Sequence, residues 1–228
     1  MRALVIQHDD NAPAGRVSEW LEARGAGQDV WLIGRDERER DPLGYELIVS
    51  LGSDHAAYDD AVPWLGRELA LLREAFEAEV PVLGICFGSQ VLARALGGRA
   101  MRAPKPEIGW MAVRTREPEL VPAAPWLEWH YDTFAPPPGA ALVADGPAGP
   151  QAYTIGRSLG VQFHPEVTAD IVADWIARGK ERLARAGVDP DRFLAETHER
   201  DDENRERARG LLDAFWARVA GLTESRSR

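Results

Sequence analysis

Through the first half of the chain, short unbroken apolar runs alternate with longer stretches in which apolar positions recur every three or four residues. Residues 3–6, 29–33, 46–50 and 81–85 are nearly continuous in apolarity, the pattern of strands covered on both faces rather than one. Between them, Val17, Trp20 and Leu21 fall at i, i+3 and i+4 and predict a helix that Gly25 and Gly27 stop. Trp64, Leu65, Leu69, Leu72 and Phe76 predict a longer helix that must end before Pro81, because proline cannot supply the N–H a continuing helix needs. Alternation of strand and helix with such strands implies an α/β sheet, mostly parallel, with helices on both faces.

The pattern changes in the middle. Between residues 98 and 160 the prolines are dense (Pro104, Pro106, Pro118, Pro122, Pro125, Pro136, Pro137, Pro138, Pro147, Pro150), and strand-like pieces appear at 108–115, 140–144 and 151–155. Proline is tolerated on sheet edges, so this region reads as antiparallel edge strands and loops. Residues 158–163 then read as a last central strand. Ile171, Val172, Trp175 and Ile176 open a helical region, and Ala208, Leu211, Leu212, Phe215, Trp216 and Val219 continue it as a stripe at helical spacing. The charged segment 178–209 between them reads as a solvated helical hairpin, and 223–228 as a frayed tail. The expected organisation is one domain over 1–178, with a helical extension over 179–228 packed on it.

Charge narrows the partners. A formal net charge of −10 disfavours nucleic acid and anionic membrane, which want a basic face. The single cysteine excludes an intrachain disulfide and a four-cysteine zinc site, and fits a reducing compartment. The apolar run near the N-terminus is too short for a signal segment, and no stretch approaches the roughly 20 apolar residues of a membrane span. A soluble, cytoplasmic protein is expected. His8, His55 and His198 lack companions at metal-ligand spacing and read as surface or loop residues.

The densest chemical signal is Gly84-Ile85-Cys86-Phe87-Gly88, where a buried strand passes directly into a helical pattern ended by Gly97 and Gly98. Glycines two residues to either side of a nucleophile allow a sharp strand-to-helix turn that holds it exposed at the top of a sheet. The helix N-terminus there favours thiolate over thiol. A lone buried cysteine would read as a small core residue; both glycines at the right offsets make it a nucleophile. The partner base lies in Gly160-Val161-Gln162-Phe163-His164-Pro165-Glu166, which puts His164 just past a strand on the carboxyl edge where catalytic groups of parallel sheets gather. Glu166 can return to orient the imidazole as the third member of a triad.

Together, Gly84-Ile85-Cys86-Phe87-Gly88-Ser89-Gln90 and Phe163-His164-Pro165-Glu166 resemble the class I (triad) glutamine amidotransferases. Glu107-Ile108-Gly109-Trp110 and Trp129-His130-Tyr131-Asp132-Thr133-Phe134 resemble segments of their small stand-alone, GMP-synthase-like members. The resemblance implies a flavodoxin-like three-layer fold with a mostly parallel central sheet. It implies hydrolysis of glutamine to glutamate and ammonia through a γ-glutamyl thioester, with no metal or organic cofactor. Cys86 would be the nucleophile, His164 the base and acid, and Glu166 the orienting carboxylate. Gly52 and the backbone N–H of Phe87 would form the oxyanion hole. Gln90, Ser53, His130, Tyr131 and Asp132 would meet the substrate, with Trp110 and Trp129 flanking the pocket; Trp20, Trp31, Trp64, Trp175 and Trp216 fall at core positions.

Two departures bear on substrate. Gly52-Ser53-Asp54 stands where many members carry Gly-Gly-Pro, and Tyr131 stands where relatives have glycine in His-Gly-Asp. The chain lacks a P-loop and room for an ATP-dependent acceptor domain, so it either serves a separate synthetase or acts alone. Acting alone, the same triad would cleave γ-glutamyl amides or peptides and release an amine. A non-catalytic scaffold or regulatory subunit is a third reading, and a homodimer is left open.

Overall fold

In the computed structural model, which describes residues 1–222, four early strands run parallel in one sheet. They are β1 (Arg2–Gln7), β2 (Gly27–Leu32), β3 (Leu47–Ser50) and β4 (Val82–Ile85). β10 (Ser158–Val161) adds parallel to β4. β9 (Gly149–Ile155), β8 (Ala141–Gly146) and the short β6 (Arg114–Thr115) then extend the sheet antiparallel, giving the order β2-β1-β3-β4-β10-β9-β8-β6. Every residue of β3, β4 and β10 is buried, which is why their sequences are apolar without alternation. The edge strand β2 is only partly buried, and its half-buried polar Gln28 and Asp29 are tolerated at that position.

Helices cover both faces. α2 (Leu65–Glu77) and α3 (Phe87–Ala95) pack Leu71, Leu72, Val91 and Leu92 on one side with Leu4, Ile6 and Ile48. On the other side α1 (Gly15–Ala23) contributes Val17, Trp20 and Leu21, and α5 (Pro190–Ala214) contributes Leu211 and Leu212. α5 runs into a π-turn at Phe215–Val219, whose Phe215 joins the same core. Burying each such side chain stabilises the fold by about 1.5–3 kcal/mol, so the C-terminal helix is part of the layered core. No described helix is long and apolar enough to cross a membrane.

The proline-rich middle departs from expectation. β5 (Arg99–Ala112) and β7 (Pro125–Ala135) are not edges of the main sheet but pair antiparallel as a ribbon of their own. Their ladder breaks between Arg102 and Glu107, where Pro104 and Pro106 cannot donate. The piece expected at 108–115 is therefore split between the two sheets. The apolar pattern predicts no strand at 125–135, because two of its buried positions carry Glu128 and His130. The strand expected over 158–163 ends at Val161.

α4 (Ala169–Arg185), capped by the Thr168 hydroxyl, and α5, capped by the Asp189 carboxylate with Pro190 following, form the helical hairpin. Its inner face is not solvated: Leu183 and Phe193 pack with Ile108 and Leu127 of the ribbon. The tail expected at 223–228 lies outside the described residues.

Candidate active site

β4 passes into α3 through Cys86, whose φ of 51° and ψ of −108° lie outside the regions an L-residue ordinarily adopts. Such a conformation costs about 1–3 kcal/mol and persists because its surroundings hold it. The Cys86 N–H donates to the Val161 carbonyl at 2.8 Å, and the Ser89 hydroxyl donates to the Cys86 carbonyl at 2.7 Å. The flanking glycines are steric requirements. A Cβ on Gly88 would stand 2.1 Å from the Ser50 carbonyl oxygen, and one on Gly84 would stand 2.8 Å from that of Gly88. Sequence thus folds locally into an elbow that sets a thiol at the N-terminus of a helix, where negative charge is favoured.

His164 lies just beyond β10, and its backbone N–H donates to Leu127 of β7 at 2.9 Å. Its Nδ1–H donates to Glu166 Oε1 at 2.7 Å, which commits that nitrogen and leaves Nε2 for other work. Nε2 is buried and makes no hydrogen bond among the described residues, while His164 and Cys86 line the same cavity. Burial opposes a charged ring, but Glu166 and Cys86 outweigh it and hold the His164 pKa well above its ordinary value. Both interactions favour the charged imidazolium. Gln162 Nε2 approaches the Cys86 sulfur at 3.5 Å, and Gln90 Nε2 donates to Gln162 Oε1 at 3.1 Å.

The loop after β3 closes on this pair. A Cβ on Gly52 would lie 3.1 Å from His164 Cε1 and 3.8 Å from Cys86 Cβ, so only glycine lets the backbone come this close without displacing the ring. The Gly88 N–H donates to the Leu51 carbonyl at 3.0 Å, and His8 Nδ1 reaches the Gly52 carbonyl at 3.2 Å. Asp9 accepts from the Ser53 hydroxyl at 2.9 Å and from the Asp54 N–H at 3.0 Å. Asp54 is ion-paired with Arg182 of α4.

Open space divides at Cys86. One compartment, about 90 Å³, has His164, Gly52, Trp129, Trp175 and Gly179 in its walls. The other, about 180 Å³, has Phe87, Gln90, His130, Tyr131 and Asp132. Cys86, Ser53, Asp54, Trp129 and Arg182 border both. Asp132 accepts from the Tyr58 hydroxyl at 3.1 Å and from Arg102 at 3.4 Å, and the Arg102 guanidinium lies over the Tyr131 ring.

His130 is the centre of a second buried cluster. Its Nδ1–H donates to the Asp132 carbonyl at 2.8 Å, and Nε2 lies 3.2 Å from both Glu107 Oε2 and Glu128 Oε2. The three side chains have a geometry in which a metal ion could sit. A proton serves the same purpose: burial resists it, but the two carboxylates raise the His130 pKa to about 10. Burial raises the pKa of Glu128 as well, and Glu107 is held from outside by the Ala148 N–H and Gln151 Nε2.

All three triad positions, the Gly52 loop and Gln90 therefore converge on one site. Ser53 borders both compartments, with its hydroxyl donating to Asp9. Other expectations change. Trp175, expected in the core, is half-buried with its ring edge-on to His164 at 4.9 Å between centroids. Trp110 bonds Thr197 of α5 and borders neither compartment. His8, expected at the surface, is buried with Nε2 2.9 Å from Glu68 Oε2. Gln162, Glu68 and Arg182 were not singled out by the pattern. Glu68, a carboxylate within the apolar stripe of α2, and Gln162, an amide ending an apolar run, are the signals that could have found two of them.

Residues 38–172 match the family model for glutamine amidotransferase class-I. A GMP synthase [glutamine-hydrolyzing] of Thermus thermophilus is 40% identical over 130 residues, covering 54% of this chain and 25% of that protein. One from Aeropyrum pernix is 39% identical over 190 residues, covering 71% and 36%. The chain thus spans about a quarter to a third of these relatives. Among solved structures, a glutamine amidotransferase of Thermotoga maritima superposes with a TM-score of 0.86 at 29% identity, over 94% of this chain and 97% of that one. A glutamine amidotransferase of Methylobacillus flagellatus gives 0.88 at 27% identity, over 100% and 97%. The fold is the flavodoxin-like one of these neighbours, and the chain belongs to the class-I glutamine amidotransferase family.

Proposed function

We propose that the chain hydrolyses the side-chain amide of glutamine. The Cys86 thiolate adds to the amide carbon, and the oxyanion is met by the backbone N–H groups of Phe87 and the Gly52 loop. His164 gives its proton to the leaving nitrogen, ammonia departs and a γ-glutamyl thioester remains. Water then adds to the thioester as His164 takes its proton, and glutamate leaves with the thiolate restored. The observation that carries this reading is His164, tied through Nδ1 to Glu166 with Nε2 left open, beside a cysteine on a strained elbow.

The two compartments divide the substrate. His164 must protonate the leaving group, so the leaving group belongs in its compartment and the γ-glutamyl chain in that of Gln90, Tyr131 and Asp132. This favours a second reading. A water-sized molecule needs about 10–15 Å³ of cavity, and ammonia needs no more. A compartment of about 90 Å³ walled by Trp129 and Trp175 exceeds that several-fold and suits a substituted amine, as in a γ-glutamyl amide. For the first reading, ammonia would pass to a separate ATP-dependent synthetase, which the likeness to GMP synthases supports. The unpaired Cys86 suits the cytoplasm.

Steady-state release of ammonia and glutamate from glutamine, measured beside amine release from γ-glutamyl alkyl and aryl amides, tests both. Faster turnover of glutamine supports the amidotransferase, and faster turnover of the substituted amides supports the stand-alone hydrolase. Turnover of neither class, with no acylation of Cys86, would end the proposal.

A further inference from the structure

His8 lies just past β1, outside the triad, and lines neither compartment at Cys86. Its ring is packed between Trp64, at 5.0 Å between centroids, and Phe87, at 4.8 Å. Both nitrogens are used. A carbonyl oxygen can only accept, so the 3.2 Å contact to Gly52 requires a proton on Nδ1. Nε2 meets Glu68 Oε2 at 2.9 Å, and the other Glu68 oxygen accepts from the Ser50 hydroxyl at 2.6 Å. His8 and Glu68 have fully buried side chains. The chain Ser50–Glu68–His8–Gly52 thus starts on β3 and ends on the carbonyl of the residue that packs against Cys86 and His164.

We propose that His8, oriented by Glu68, is a positioning residue that fixes the Gly52–Ser53 peptide in the orientation the oxyanion hole needs. A peptide's C=O and N–H point in opposite directions. The peptide before Gly52 is fixed by the bond from Gly88 N–H to the Leu51 carbonyl. Without a Cβ, Gly52 can rotate the peptide that follows it at little steric cost. Rotation would exchange the direction of its N–H and C=O, turning a carbonyl dipole where the developing oxyanion needs a donor. A hydrogen bond from a buried ring, itself held by Glu68, opposes that exchange, because breaking it would strand the Gly52 carbonyl and His8 Nδ1–H together. Burial disfavours the charge on His8, but Glu68 restores it and raises the pKa. Asp9 anchors the next two residues of the loop, so the hole is assembled by this chain's own side chains.

This inference rests on the hydrolase reading, and the test separates the two. His8→Phe keeps a ring between Trp64 and Phe87 but removes both donors. It is measured beside His8→Gln, which keeps a donor, and beside His8→Phe/Glu68→Gln, which removes the carboxylate charge left unpaired. For the amide the wild type turns over best, kcat of His8→Phe is expected to fall about 10²-fold, the scale of one lost oxyanion donor, with KM within threefold. Alkylation of Cys86 by iodoacetamide, which needs no oxyanion hole, should stay within threefold. His8→Gln should recover at least tenfold of the lost kcat, and the double variant should match His8→Phe in kcat while regaining thermal stability. Wild-type kcat in a folded His8→Phe or in the double variant would overturn the inference and leave the hydrolase reading intact. A loss of alkylation parallel to the loss of kcat would also overturn it, since the defect would then lie in the thiolate. A wild type that turns over no amide would overturn both.

Discussion

His164 and His130 are each 3% exposed, each is paired with carboxylate, and each has a raised pKa, yet their ring nitrogens are used differently. His164 spends Nδ1 on Glu166 and lines the smaller compartment, with no hydrogen bond at Nε2 among the described residues. His130 gives Nδ1 to a backbone carbonyl and holds Nε2 3.2 Å from a carboxylate oxygen of each of two glutamates, in ion-pair contacts without hydrogen-bond geometry. Neighbouring carboxylate charge favours the imidazolium in both, but only a ring with one uncommitted nitrogen can pass a proton to substrate. What would separate the proposed base from a fixed charge is thus what the ring meets, a cavity shared with Cys86 or two carboxylates, not its burial or its pKa. His8 is closer to His130 in this respect, since both its nitrogens are committed.

The sharpest way to break this contrast is to remove His164 and its nucleophile. His164→Gln and Cys86→Ala should each lower kcat by about 10⁴-fold or more, and the double variant should be little worse than either, because nucleophile and base act as a unit. Additive losses, or retained turnover in Cys86→Ala, would sink the assignment. A smaller effect is expected one step outward. Glu166→Gln keeps an oxygen beside Nδ1 but loses the charge that stabilises the imidazolium, and kcat should fall about 10²–10⁴-fold with KM little changed. Its pH–rate profile should also move to lower pH, since the cause that most strongly raises the His164 pKa is gone. An unchanged profile would mean that Glu166 does not set that charge.

The difference between the two histidines also marks where the sequence was legible. His164 sits in a chain of local signals: an apolar strand, a proline that fixes direction and a carboxylate two residues on. The Cys86 elbow is local too, since its two glycines and its cysteine lie within five residues. Local periodicity likewise carries β1, β3, β4 and the helices around them. The His130 cluster draws its members from β5 and β7, with Gln151 of β9 behind them, so its meaning appears only once the ribbon is paired. Its buried charges also erase the apolar alternation that would have announced β7. His8 and Glu68 are sixty residues apart and meet only after β1 and β3 pair. Nor could the sequence distinguish Trp175 as a wall of the site from Trp216, half-buried against the core, because helical spacing places both on apolar faces.

The smallest effect separates the histidines through stability rather than rate. His130 has its pKa raised from 6.5 to about 10, with Glu107, Glu128 and Cys86 facing it. Between those two values the folded chain holds a proton that the unfolded chain releases. The stabilisation is therefore complete below pH 6.5 and is lost as pH rises toward 10, by at most about 1.4 kcal/mol per pH unit. Glu128, also raised, acts in the same sense, because its folded form again binds the extra proton. His8 and His164 add to the decline, so the measurement must be a difference between proteins. Denaturant unfolding of the wild type and of His130→Gln/Glu128→Gln from pH 6 to pH 10 supplies it. The double variant should start less stable and fall less steeply with pH, and kcat at neutral pH should drop less than tenfold because His164 is untouched. Parallel pH slopes would show that the cluster does not hold the proton. A loss of kcat comparable to that of His164→Gln would remove the distinction between the two rings.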